Sequence, residues 1–141
     1  MRQNAHPDGL SMAPGYHSVN PYFLVAGVED FIEFLAEVFG GREETKFKEV
    51  RPDGLIDHAD VVIGDSIVMM SDADPTNPPR PSVAFVYVPD VDSTYEKALD
   101  RGCVSRLEPR FAPWGERVAG FADPWNNRWW IGVPGPGGAG G

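Results

Sequence analysis

The chain has 141 residues, 42% of them apolar, which suits one compact domain with a real core and excludes wholesale disorder. Its formal net charge of −9, from 21 acidic against 12 basic residues, excludes the basic footprint that nucleic acid demands and argues against an anionic membrane surface. The same charge is compatible with a cationic or neutral ligand, or simply with a well-solvated surface.

Residues 1–15 are polar and rich in Gly and Pro, so they read as a flexible N-terminal tail containing His6, with Met12 as an alternative start. The tail lacks the apolar stretch of a secretory signal, and no segment reaches the roughly 20 apolar residues of a membrane span. Cys103 is the single cysteine, so no internal disulfide can form and a cytoplasmic setting is expected. With no base beside it in sequence, Cys103 reads as a packed small residue.

The first element is a strand over residues 17–25, stopped at Ala26-Gly27. Val28, Phe31, Ile32, Leu35, Val38 and Phe39 then recur at helical spacing and predict an amphipathic helix, closed by Gly40-Gly41. Three strands follow, over residues 45–50, 56–63 and 66–70, with turns at Arg51-Pro52-Asp53-Gly54 and Gly64-Asp65. A proline-rich linker, residues 72–81, divides module one (residues 16–71) from module two (residues 82–134). Module two repeats the order: a strand over 83–88, a helical stripe of Val91, Tyr95, Ala98 and Leu99 ended by Gly102, and strands over 104–107, 118–121 and 128–133. Residues 135–141 form a glycine-rich tail without side chains to pack.

Val25, Val28, Glu29 and Glu33 match Val88, Val91, Asp92 and Glu96 in type, always 63 positions apart. The fold class predicted is therefore α+β, with two βαβββ modules forming a curved, partly closed mixed sheet around a cleft. One half alone could not bury its sheet face. Helices would cover the outer face and leave the cleft on the inner one.

His58 and Asp60 are two apart on one predicted strand, so they share a face, while Ala59, Val61 and Ile63 share the other. They could be an ordinary polar strand face, the lining of a pocket, or a general base with its carboxylate. Other chemistry is absent from the pattern. The glycines after Pro134 open no helix that could hold a phosphate, and no Ser or Cys stands in a nucleophile elbow.

The segments GYHSVNPYFLV, FIEFLAEVFGG, DHADVVIGDSIVMMSD, VYVPDVD and WGERVAGFADPWNNRWWI together resemble the vicinal oxygen chelate superfamily of glyoxalases, bleomycin-resistance proteins and extradiol dioxygenases. Within it, the WGER run with its DP…W closing hairpin resembles the small branch labelled demethylubiquinone methyltransferase-like. The resemblance spans about residues 15–133 and implies the same paired βαβββ fold. It also implies a metal held at four positions, which fall here on Asn20, Met69, Val83 and Trp130. None of these is a His or a carboxylate, so the usual metal site is expected to be lost and no cofactor is expected. A methyl-donor loop is missing, so the branch label carries no methyl transfer.

By the same correspondence Asn20, Tyr22, Met69, Phe85, Tyr87 and Trp130 face the cleft with His58 and Asp60, which makes it aromatic, sulfur-lined and sparsely polar. That suits a planar or hydrophobic ligand, or the side chains simply fill the space. Trp114 and Arg117 are further candidates. Arg117 could clamp a carboxylate or stack on a ring, or pair with Glu116 or Asp123 to shape the hairpin. His17 reads as a surface residue. The resemblance thus implies a metal-independent small-molecule or drug-binding protein, homodimeric, of the bleomycin-resistance type. The alternative is a lyase, isomerase or dioxygenase relative using His58 and Asp60.

Overall fold

A computed structural model describes residues 4–5 and 11–135. His6, and the glycine-rich tail from residue 136 onward, lie outside the described residues. In the N-terminal segment, β1 (Asn4–Ala5) pairs antiparallel with β2 (Ser11–Met12).

The chain divides into two compact units. The first runs to Ala36 and resumes over Gly40–Pro79; the second takes Glu37–Phe39 and everything from Arg80. The first-unit sheet comprises β3 (Tyr22–Val25), β4 (Arg42–Val50), β5 (Ile56–Ile63) and β6 (Ser66–Asp72), with α1 (Val28–Phe39) between β3 and β4 in sequence. Its order is β3-β6-β5-β4, and only β3 and β6 run parallel. The second sheet comprises β7 (Val83–Tyr87), β8 (Val104–Phe111), β9 (Arg117–Ala122) and β10 (Arg128–Val133), with α2 (Val91–Asp100) following β7. Its order, β7-β10-β9-β8, again has one parallel pair, β7 with β10. The protein is therefore α+β, with the βαβββ module used twice, each as its own four-stranded mixed sheet.

Identifiable groups set the helix ends. Gly27 adopts φ 104° and brings no side-chain cap of its own to α1. Asp72, at the end of β6, supplies the cap instead, accepting from the Gly27 and Val28 amides at 3.0 and 2.8 Å. Its second oxygen accepts from the Ile56 amide at 2.8 Å. Gly40, at φ 67°, ends α1, and the Gly40 and Gly41 amides return to the Ala36 and Leu35 carbonyls. α2 is capped directly by Asp90, which accepts from the Ser93 amide at 3.0 Å.

Burial follows the apolar stripe. Phe31, Ile32, Leu35 and Val38 are buried, as is Phe34, and the Phe23 ring of β3 meets Phe31 at 5.4 Å. In the first sheet Phe23, Met70 and Ala59 form one buried row across β3, β6 and β5. In the second unit Ala119, Phe121, Trp129 and Ile131 are buried, and Phe39 packs on Trp129 at 4.8 Å. The closing turn is organised by buried Asp123, which accepts from the Trp125 and Asn127 amides and from the Asn127 and Trp129 side chains.

Element bounds shift where a local bond outcompetes the strand. The strand expected from residue 17 begins only at Tyr22. Asn20 folds back on His17, accepting from its amide at 3.0 Å and donating to its carbonyl at 2.7 Å. Pro21, without an N–H, completes the break. β4 and β8 are both longer than their apolar residues suggest. Each lies at a sheet edge, where one face and one side meet water and polar side chains are tolerated. Pro109 within β8 sits at a register irregularity of that edge strand.

Candidate functional site

The face of the first sheet opposite its core carries one row of side chains. Tyr22, Met69, Asp60 and Glu44 are successive register partners across β3, β6, β5 and β4. His58 sits two residues along β5 from Asp60 and takes Glu49 as its partner on β4. Between these pairings β4 advances from Glu44 to Glu49 while β5 moves only from Asp60 to His58. The excess chain, Thr45–Lys48, bulges off the ladder. Bulges re-aim side chains and are frequent beside functional sites.

The bulge walls a cavity of about 670 Å³. Lys46, Phe47, Lys48 and Glu49 line it from β4, His58 and Met69 from the sheet, and Ala13, Tyr16, His17 and Asn20 from the segment before β3. The volume falls within the range of small-molecule sites. Three of the expected residues, Asn20, His58 and Met69, thus share one cavity. Tyr22 is half exposed, its ring 6.2 Å from that of His58.

Asp60 is fully buried and serves its neighbours rather than making contact with the cavity. The Tyr16 hydroxyl donates to its Oδ2 at 2.5 Å, and His58 Nε2 lies 2.8 Å from its Oδ1. Burial, reinforced by the bond to Asp60 and by the Asp60 and Glu44 charges, holds the Tyr16 phenol well above its ordinary pKa, so it stays a donor. The result is a Tyr16–Asp60–His58 chain with the imidazole at the cavity wall.

Most other polar groups of the lining are already engaged. Asn20 is spent on His17, and His17 Nε2 lies 3.1 Å from the Asp65 carbonyl. Lys48 is shared between Glu43 and Glu29 at 2.9 and 3.3 Å. Lys46 lies 5.4 Å from the Phe47 ring centroid and pairs with no carboxylate among the described residues. The net −9 of the whole chain is therefore not mirrored in this cavity, where lysines stand beside Glu49.

The remaining candidates sit on the second unit. Phe85 and Tyr87 alternate on β7, largely exposed, with rings edge-to-face at 5.0 Å. Trp130 lies across Gly120, its register partner on β9, where a Cβ would meet the indole at 2.3 Å. Phe85 likewise lies over Gly132. Glu116 accepts from the Tyr87 hydroxyl at 2.7 Å and from the Trp114 indole at 2.8 Å.

Arg117 pairs with neither of the carboxylates its sequence neighbourhood offered. It makes a bidentate contact with Asp92 at 2.7 and 2.8 Å and lies 4.9 Å from the Phe111 ring centroid. Glu116 is adjacent on the chain and committed to Tyr87 and Trp114, while Asp123 is turned inward to the closing hairpin. Arg117 also lines a smaller cavity of about 270 Å³ with Phe111 and Asp92.

A divalent metal does not fit the positions that the resemblance assigns to it. Asn20 has both amide atoms committed, Met69 offers only a thioether, and Val83 and Trp130 offer no donor atom suited to a hard cation. Among the described residues no group of three or more His, Cys, Asp or Glu side chains comes together. Burial pushes the Cys103 thiol up to about 12, which removes it as a nucleophile. No described helix is long and apolar enough to cross a membrane.

Tyr16, Lys46, Phe47, Lys48 and Glu49 were not legible as cavity residues. Tyr16 sits next to the expected tail, and its partner Asp60 is 44 residues away. The β4 residues read as an ordinary polar strand, because a bulge is fixed by pairing with β5 rather than by composition.

The family model described as Glyoxalase/Bleomycin resistance protein/Dioxygenase superfamily matches residues 17–131. An uncharacterized protein of Mycobacterium bovis is 28% identical over 130 residues, covering 83% of each chain. Among solved structures, TnmS3, an antibiotic binding protein from Streptomyces sp. CB03234, is similar at 25% identity and TM-score 0.60, over 84% of this chain and 97% of that one. A PhnB protein from Bacillus cereus shares the fold at TM-score 0.67 and 11% identity, over 83% of this chain and 99% of its own.

Proposed function

We propose a binding role for this chain, which belongs to the glyoxalase/bleomycin resistance protein/dioxygenase superfamily: it sequesters a planar or aromatic small molecule, of the kind a drug-binding protein takes up, without a metal. The observation that carries this reading is the first-unit cavity, walled by Tyr16, Phe47, His58 and Met69 and large enough for a ring system. A structural relative whose own function is antibiotic binding supports it, as does the donor chemistry at Asn20, Met69, Val83 and Trp130. Aromatic and sulfur side chains bind flat apolar rings by contact area, and a few polar groups set orientation.

Within the superfamily we place the chain in the small demethylubiquinone methyltransferase-like branch, on the Trp114–Arg117 run and the closing hairpin. We also propose a homodimer. The second-unit aromatics Phe85, Tyr87, Trp114 and Trp130 are then available either to a ligand or to a second copy.

A thermal-shift screen of aromatic and drug-like compounds tests the binding role. A ligand at 100 times its Kd stabilises the folded state by about 2.7 kcal/mol, which moves the melting temperature by several degrees. Tyr16→Phe or Met69→Ala should reduce the shift of any hit. A screen without hits, or hits indifferent to those changes, removes the cavity as the site.

The Asp60–His58 pair favours a second reading, an enzyme in which His58 is a general base. Under that reading His58→Ala lowers the rate about 10²–10⁴-fold, whereas a sequestering protein loses only modest affinity.

A further inference from the structure

We infer that the first-unit cavity selects aromatic ligands carrying a hydroxyl, whose proton is accepted by Nδ1 of His58. The inference rests on the binding role proposed above and names the ligand class for the same cavity.

A hydrogen-bond chain stands behind His58. A carboxylate only accepts, so each group that meets Asp60 must bring a proton. Tyr16 brings one from its hydroxyl to Oδ2. The imidazole must bring the other from Nε2, 2.8 Å from Oδ1. A neutral imidazole carries one ring proton, so committing it to Nε2 leaves Nδ1 as a bare acceptor. That atom has no hydrogen-bond partner among the described residues, while its side chain lines the cavity. Tyr16 and Asp60 are thus positioning residues: they fix the tautomer and the ring and never touch the ligand's hydroxyl. The same logic governs histidines held by a carboxylate behind other sites.

A hydroxyl on a ring is the group this acceptor reads best. A ketone or ether oxygen would face Nδ1 lone pair to lone pair, and a bare ring would leave Nδ1 desolvated and unpaired, which carries its own penalty. The charged groups around His58 are Asp60 on its own strand, Glu49 and Glu44 on β4, and Lys46 and Lys48 in the bulge. Of these, Glu49 is the other acceptor on the lining, so the experiment has to separate it from His58.

Two probes of similar size do so, 2-naphthol, which donates, and 2-fluoronaphthalene, which cannot. The unmodified protein should bind 2-naphthol roughly three- to tenfold more tightly, the net value of one hydrogen bond. The preference should vanish in His58→Phe, which keeps a ring but removes the acceptor. That change leaves Asp60 one donor short and can unfold the chain, so a second measurement is made on the parent protein. Nitrogen-15 spectra of labelled histidine at pH 8 should show His58 protonated at Nε2 and bare at Nδ1. The Nδ1 resonance should move with 2-naphthol and not with 2-fluoronaphthalene. Equal binding of the two probes, a preference that survives in His58→Phe, or a proton resting on Nδ1 overturns the inference while leaving a binding cavity intact. Binding of neither probe removes the binding role itself, and this inference with it.

Discussion

Arg51 and Asp74 show how single residues hold the end of the first unit. The Arg51 guanidinium donates to Asp74 at 2.9 Å and to Asp53 at 2.6 Å. Asp74 also accepts from the Thr76 hydroxyl and from the amides of Thr76 and Asn77. With Arg51 the largest influence, the Asp74 carboxyl is lowered to about 2. An unfolded aspartate titrates at about 3.9, so the folded state prefers the ionised form. The stability this contributes is complete above that value and is lost as pH falls from about 4 through about 2. Asp74→Asn should therefore melt below the parent at pH 6, with the gap closing by about pH 2. A gap that stays constant over that range in calorimetry would mean the charge contributes nothing. Cys103 offers a second residue-level check. Buried and pushed up to about 12, it should ignore a disulfide reagent such as DTNB in the native protein and react once denaturant is added. Fast native labelling would contradict its burial.

Among the elements, α1 is the clearest case of sequence specifying structure. Its apolar residues recur at helical spacing, Gly40 stops it, and the stripe is buried as the pattern requires. Leu35, fully buried, should cost about 2–5 kcal/mol when cut to Ala. Urea unfolding measures this directly, and a loss below about 1 kcal/mol would mean the face is not packed. The start of α1 was less legible, because its cap comes from Asp72, 44 positions beyond Val28. β5 was legible for the simple reason that strand alternation fixes faces: His58 and Asp60 had to share one. What alternation could not show is that Asp60 would be fully buried under Tyr16, or that β4 would bulge and carry Lys46–Glu49 into the cavity wall. Both depend on contacts between segments far apart in sequence, and such contacts leave no local signature. Arg117 makes the same point. Glu116 is committed to Tyr87 and Trp114 and Asp123 is turned inward, so it reaches to Asp92 on α2.

The repeated module poses a question about association. Val83, Phe85 and Tyr87 occupy alternate positions of β7, so they share one face of the second sheet, and they are 69%, 48% and 59% exposed. Among the described residues β7 is also an edge strand, with β10 as its one neighbour. Single exposed apolar side chains are unremarkable in a soluble protein, but three in a row with Trp114, 70% exposed, form the kind of contiguous patch that usually has an occupant. The proposed homodimer supplies one. Sedimentation velocity at micromolar concentration should then give twice the chain mass. Replacing both Val83 and Phe85 by Glu should shift the protein to monomer, because two carboxylates per copy would have to be desolvated without partners. Circular dichroism should stay unchanged, since neither side chain belongs to the buried set of the second unit. A parent that sediments as a monomer at 100 μM, or a double variant that remains dimeric, would leave this face to a ligand rather than to a second copy. In that case, titrating the monomer with an aromatic ligand should quench tryptophan fluorescence, and the Trp130→Phe variant should lose part of that response.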